Sequence, residues 1–200
     1  GCPWDREQTH QSLKRYLIEE AYEVLEAVDS DDPEMLADEL GDVLLQVVFH
    51  AQIGKELGTF TIDDVIYAIC NKLVRRHPHV FADTEAETVG DVIRNWEAIK
   101  KTEKQGESRT SILDGVPKEF PALMRAEKIQ KKAAKVGFEW DNIDGAFAKL
   151  QEELQELSLA LEGSNQDHIT DEFGDVLFAL VNVARYAKVD PELALQGATT

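Results

Sequence analysis

The chain has 200 residues, 43% of them hydrophobic, enough to bury one large core or two small ones. Thirty-nine Asp and Glu against 21 Lys and Arg give a formal net charge of -18, which disfavours polymeric nucleic acid and anionic lipid as partners. The longest apolar runs, such as Val176 to Val181, fall far short of the roughly 20 residues of a membrane span.

No secretory signal opens the chain. Its two cysteines, Cys2 and Cys70, make neither a disulfide framework nor a CxxC pair, so a reducing, cytoplasmic setting is expected and Cys70 is expected in the core. The start at Gly1, without methionine, suggests a trimmed or partial version of a longer protein.

Apolar residues recur at helical spacing and no stretch alternates with a period of two, which predicts an all-α chain. Thr9 is placed to cap a helix running to about Val28. Asp32 and Pro33 open a second that continues to about Leu57, with Gly58 as its stop, and the two form a helical hairpin. Thr61 with Asp64 has capping-box spacing for a third helix ending before Pro78, and a fourth is expected from Val89 to Lys104. Residues 105–118 read as a linker between a first domain, 1–104, and a second, 119–200. In the second, helices are expected from about Phe120 to Val136, Ile143 to Leu161, Asp167 to Ala187, and onward from Pro191.

The two sides of the linker repeat one another. Gly1-Cys2-Pro3-Trp4-Asp5 is echoed by Gly137-Phe138-Glu139-Trp140-Asp141, and Glu19-Glu20-x-x-Glu23 by Glu152-Glu153-x-x-Glu156. Glu39-Leu40-Gly41-Asp42 returns as Glu172-Phe173-Gly174-Asp175, after the same 16-residue interval (23 to 39, 156 to 172).

Single ExxE motifs ordinarily lie on solvated helix faces. Here Glu20 falls in the stripe of Leu13, Leu17, Val24 and Val28, and Glu153 in that of Leu150, Leu157 and Leu161, so both acids are expected to face inward. Glu23 and Asp42 lie three residues after Glu20 and Glu39, which projects each pair from one helix face. Gly41 is expected to let the hairpin helices approach closely. Carboxylates converging between apolar walls repel one another and lose hydration, so a cation is required. Oxygen-only ligands select a hard divalent ion, Mg2+, with Mn2+ as substitute, and such ions suit a small phosphate substrate.

With EExxE followed by ExxD on a helical hairpin, the chain resembles the MazG-type nucleoside triphosphate pyrophosphohydrolases of the all-α NTP pyrophosphatase group, in their tandem form. The similarity extends to Gly-Cys-Pro-Trp-Asp-x-x-Gln-Thr at the start, to Arg75-Arg76-His77-Pro78-His79-Val80-Phe81, and to Trp96-Glu97-x-Ile99-Lys100. The resemblance implies hydrolysis of nucleoside triphosphates to a monophosphate and pyrophosphate, with broad base tolerance, in a homodimer. It implies Mg2+ ligation by Glu20, Glu23, Glu39 and Asp42, and in the second copy by Glu153, Glu156, Glu172 and Asp175. Glu19 is then a supporting or water-positioning acid beside the catalytic Glu20 and Glu39. Arg75, Arg76 and Lys100 are implied phosphate contacts, with Lys149 and Glu152 on the substrate side of the second copy. Trp96 is either a base-stacking or a core residue, and His77 and His79 are read as fixing a helix end.

The two alternatives are a narrower dUTP or phosphoribosyl-nucleotide pyrophosphohydrolase and a non-catalytic cation-binding helical module. Because Arg75, Arg76 and Lys100 follow only the first cluster within this chain, the first copy is expected to be the active one.

Overall fold

The computed structural model describes residues 1–103 and 111–199, excluding the side chain of Lys101. Lys104, the expected end of the fourth helix, and residues 105–110 of the expected linker lie outside the described residues. The chain divides into two compact units, Gly1–Gly106 and Glu107–Thr200. Among the described residues there are ten helices and no strand, so the chain is all-α.

The first unit contains α1 (Pro3–Arg6), α2 (Lys14–Asp29), α3 (Pro33–Leu57), α4 (Ile62–Arg76), α5 (Pro78–Phe81) and α6 (Val89–Glu103), with α2 packed along α3 as a hairpin. The start of α3 is fixed by the Asp32 side chain, which accepts from the backbone N–H groups of Glu34 and Met35, with Pro33 at the first helical position. Its end falls at Gly58, whose φ of +68° is the left-handed stop glycine supplies without strain. Thr61 and Asp64 form the reciprocal capping box expected for α4.

Three local expectations are corrected. Thr9 does not cap α2: it exchanges backbone-to-hydroxyl hydrogen bonds with Ser12 (2.9 and 3.1 Å), which closes a separate turn and delays the helix to Lys14. Gly41 faces open space. The close approach occurs at Gly54, where a Cβ would lie 2.8 Å from the Phe60 ring. Cys70 is exposed rather than core.

The second unit contains α7 (Ala122–Ala134), α8 (Ile143–Glu162), α9 (Gln166–Tyr186) and α10 (Pro191–Thr199), with α8 and α9 as the hairpin. Asn142 caps α8 and Asn165 caps α9, so α9 starts a residue before Asp167. Helix α7 stops at Ala134, short of Val136, as the chain reverses through Gly137 at φ +86° and Phe138 N–H reaches back to the Ala133 carbonyl at 3.1 Å. From α7 the buried Gln130 donates Nε2–H to the Phe178 carbonyl on α9 at 2.8 Å, tying this helix to the hairpin.

The cores of the two units differ. Ala146, Leu150, Leu157, Ala160, Ala179 and Val181 are buried in the second, but the first buries Leu13, Ala27 and Ala51. Much of the expected α2 stripe is open, with Leu17 40% and Val28 53% exposed; Leu161, in the α8 stripe, is also exposed. No described helix is long and apolar enough to cross a membrane.

Candidate active site: two carboxylate clusters

In each unit the hairpin brings three glutamates together. Glu20 and Glu23 project from one face of α2 toward Glu39 on α3, with one carboxylate oxygen from each lying within 4.8 Å of the other two. Glu153 and Glu156 of α8 meet Glu172 of α9 within the same limit. Asp42 and Asp175 stand outside these triads. Asp42 is half-buried and close enough to act on Glu20, whereas Asp175 is exposed.

Burial is uneven. Glu153 is buried between Leu150 and Leu157, each of the three about equally covered, as its stripe position predicts. Glu20 and Glu39 are half-buried, because the first hairpin covers less of its own apolar face.

The electrostatics favour a cation in both places. Desolvation is the leading cause that raises the pKa of Glu20, followed by repulsion from Asp42, Glu23 and Glu39. Glu39 is raised likewise, by desolvation and then by Glu23, Asp38, Asp42 and Glu26, so the negative field spreads beyond the predicted ligands. Glu156 is raised by desolvation and by Glu153, against an opposing pull from Lys149. In the same triad Glu172 Oε2 is buried without a hydrogen-bond partner, while its Oε1 lies 3.4 Å from His168 Nδ1. Carboxylate triads with self-repulsion and an orphaned oxygen fit a hard divalent cation.

The basic residues of the two units are engaged differently, and among the described residues only Lys149 is seen against a triad residue. Lys149 Nζ lies 2.7 Å from Glu152 and 2.8 Å from Glu153, and the two acids raise its pKa. In the first unit Glu103 at the end of α6 engages both arginines: Arg75 Nε at 2.6 Å and Arg76 Nη2 at 2.6 Å. Hydrogen bonding from Arg76 above all, then from Arg75, holds the Glu103 carboxyl down to about 2 despite an opposing desolvation effect. Glu103 was not anticipated from the sequence. Its distance from the arginine pair hides it, and nothing local marks it apart from other acids on α6.

Glu19 pairs with Arg15 at 2.6 Å, on α2 but outside the triad. Trp96 on α6 is 38% exposed; its ring meets the His77 ring edge-on at 5.4 Å, with the Arg76 guanidinium 5.9 Å from its centroid. His77 sits between α4 and α5, its Nδ1 2.7 Å from the Leu73 carbonyl, in keeping with a helix-end role. Lys100 is exposed on α6 and Glu152 is exposed on α8.

The model of the MazG nucleotide pyrophosphohydrolase domain matches residues 8–81 and 143–200, segments that contain both triads. A Thermotoga maritima protein named nucleoside triphosphate pyrophosphohydrolase/pyrophosphatase MazG is 50% identical over 199 residues, covering all of this chain and 75% of its own length. An Escherichia coli nucleoside triphosphate pyrophosphohydrolase is 46% identical over 200 residues, covering 99% of this chain and 76% of its own. The uncharacterized Bacillus subtilis protein YabN is 57% identical over 196 residues, 98% of this chain but 40% of its own length. The chain belongs to the MazG nucleotide pyrophosphohydrolase family and is an enzyme of that class.

Proposed function

We propose that the chain hydrolyses nucleoside triphosphates to the monophosphate and pyrophosphate, with Mg2+ as its natural metal and Mn2+ as a substitute, over a broad range of bases. Nucleotide-pool house-cleaning is the role this implies. The observation that carries the reading is the paired triad, three carboxylate oxygens within 4.8 Å in each unit, in a chain of this family. The named relatives supply the reaction class.

In this reading Glu20, Glu23 and Glu39, with Asp42 nearby, hold metal in the first unit; Glu153, Glu156 and Glu172, with Asp175 at the margin, hold it in the second. Bound divalent ions supply charge neutralisation and phosphoryl polarisation. The chain's own contribution is to fix the carboxylates on rigid helices and to bring cationic donors to the triphosphate. Lys149, flanking the second triad, is suited to such a contact, as are Arg75, Arg76 and Lys100 in the first unit. Glu19 and Glu152 are supporting acids that hold a basic neighbour or orient water, and Trp96 offers a partly exposed ring for a base.

The expectation that the first copy is the active one rested on its arginines. Glu103 engages both arginines much as Glu152 and Glu153 engage Lys149, so the basic residues do not separate the copies; the buried Glu153 and the orphaned Glu172 oxygen support the second copy for turnover in this reading. Pyrophosphate release by Glu39→Gln and Glu172→Gln variants tests the assignment: loss in the second alone supports it.

We further propose a homodimer. Leu40, Leu44, Leu45 and Val48 on α3, and Phe173, Leu177 and Leu180 on α9, are all exposed, apolar area that a second copy of each hairpin would cover. Sedimentation at micromolar concentration reads the result directly.

A further inference from the structure

The two triads are built from the same motif, but their surroundings differ at one register position. The alignment that equates Glu20 with Glu153 and Glu39 with Glu172 equates Tyr16 with Lys149. Tyr16 presents its ring to Trp4 edge-on at 5.6 Å and brings no charge to the first triad. Glu20 there faces Asp42, Glu23 and Glu39, and the nearby Arg15 is turned outward onto Glu19, its side chain 82% exposed. In the second triad the Lys149 ammonium lies 2.8 Å from Glu153, whose side chain is only 10% exposed.

We propose that Lys149 is a built-in counter-ion that occupies part of the cation position of the second triad, so that this triad is assembled without metal and a divalent ion must displace the ammonium to bind. Among the groups seen to act on Glu20 and Glu39 in the first triad there are acids and no ammonium, so this triad depends on the metal itself for neutralisation. The two copies therefore differ in metal affinity and in metal-free stability, apart from which of them turns over substrate. A carboxylate cluster that is partly withdrawn from water is stabilised by positive charge in either state. One unit carries that charge covalently; the other takes it from solution. Displacement also frees the ammonium at the moment the site is loaded, placing a mobile cation on a four-carbon stem beside the triphosphate.

The inference rests on the metal-binding reading above, and the test separates the two. In the full chain, Glu20→Gln with Glu39→Gln silences the first triad, and Mn2+ binding to the second is followed by electron paramagnetic resonance without nucleotide. Adding Lys149→Met is expected to tighten Mn2+ binding about tenfold or more, since one adjacent opposite charge commonly moves such equilibria by that much. The same change is expected to lower the metal-free melting temperature, with recovery on adding Mn2+. The reciprocal variant, Tyr16→Lys in a chain silenced by Glu153→Gln with Glu172→Gln, is expected to weaken Mn2+ binding and raise metal-free stability, and it serves if Lys149→Met fails to fold. Unchanged Mn2+ affinity on removing Lys149, with normal folding, overturns the counter-ion role while leaving the metal reading intact. Absence of Mn2+ binding with Lys149 present or removed overturns the metal reading, and the competition falls with it.

Discussion

Arg76 and Glu103 are joined as a fork: Nη2 donates to Oε2 at 2.6 Å, Nε lies 3.2 Å from the same oxygen, and Arg75 Nε takes Oε1 at 2.6 Å. One carboxylate thus locks the end of α4 to the end of α6. A carboxyl held below its ordinary value contributes stability that is complete above that ordinary value, 4.5, and is lost as the pH falls toward about 2. Glu103→Gln is expected to reduce the stability of the first unit at pH 7 and to flatten its acid dependence between those limits. Thermal melts of both proteins across that range check it. An unchanged acid limb in the variant contradicts the assignment.

The Glu103 clamp also competes with phosphate for the arginines. If Arg75 and Arg76 contact substrate, Glu103→Gln is expected to tighten binding of a non-hydrolysable nucleoside triphosphate analogue to the first unit by about two- to fivefold, the scale of one exposed or partly exposed ion pair. Equilibrium binding with the second triad silenced by Glu172→Gln isolates the effect. An affinity that falls or does not move assigns the arginines a purely structural role.

The fold was legible where the signal is local. Asp32 before Pro33, Gly58, and the Thr61 and Asp64 pair set helix ends through contacts with their immediate neighbours, and these positions read directly. The duplication exposed both triads because the spacing that carries two glutamates to one helix face is itself a sequence pattern. The partner of the two arginines did not read, since Glu103 reaches them through tertiary packing of α4 and α6. Burial misled in the first copy for a related reason: an apolar stripe shows which side wants covering, but Leu17 and Val28 remain exposed because the described unit does not supply the cover.

His10 and His50 share a hydrogen bond between their Nδ1 atoms at 2.8 Å, and the rings stack with centroids 5.1 Å apart. One nitrogen must be unprotonated for that bond to exist. Burial foremost, and then the His10 charge, lowers the pKa of His50 from 6.5, so its contribution to stability is complete above 6.5 and is lost as the pH falls through that value toward the lowered one. The first unit is expected to melt at a lower temperature at pH 5 than at pH 7, with a smaller difference in His50→Gln. Equal differences in the two proteins sink the idea.

In the second unit, Gln130 is buried and its Nε2 satisfies the Phe178 carbonyl. Gln130→Ala removes the donor and leaves that carbonyl unpaired, at a cost of about 1–3 kcal/mol. Denaturant unfolding monitored by a probe in the second unit reads this loss, and a change within error would mean that water replaces the amide.

The carboxylate triads are the centre of the account, and the products of one reaction test them most directly. Wild-type protein, incubated with a panel of nucleoside triphosphates and Mg2+, is expected to release equal amounts of monophosphate and pyrophosphate. Excess EDTA is expected to abolish this, Mn2+ to restore it, and Glu20→Gln combined with Glu153→Gln to reduce it about 100-fold or more, the scale of losing a principal transition-state electrostatic contact. Release of diphosphate and orthophosphate, or undiminished pyrophosphate release from the double variant, would contradict the account.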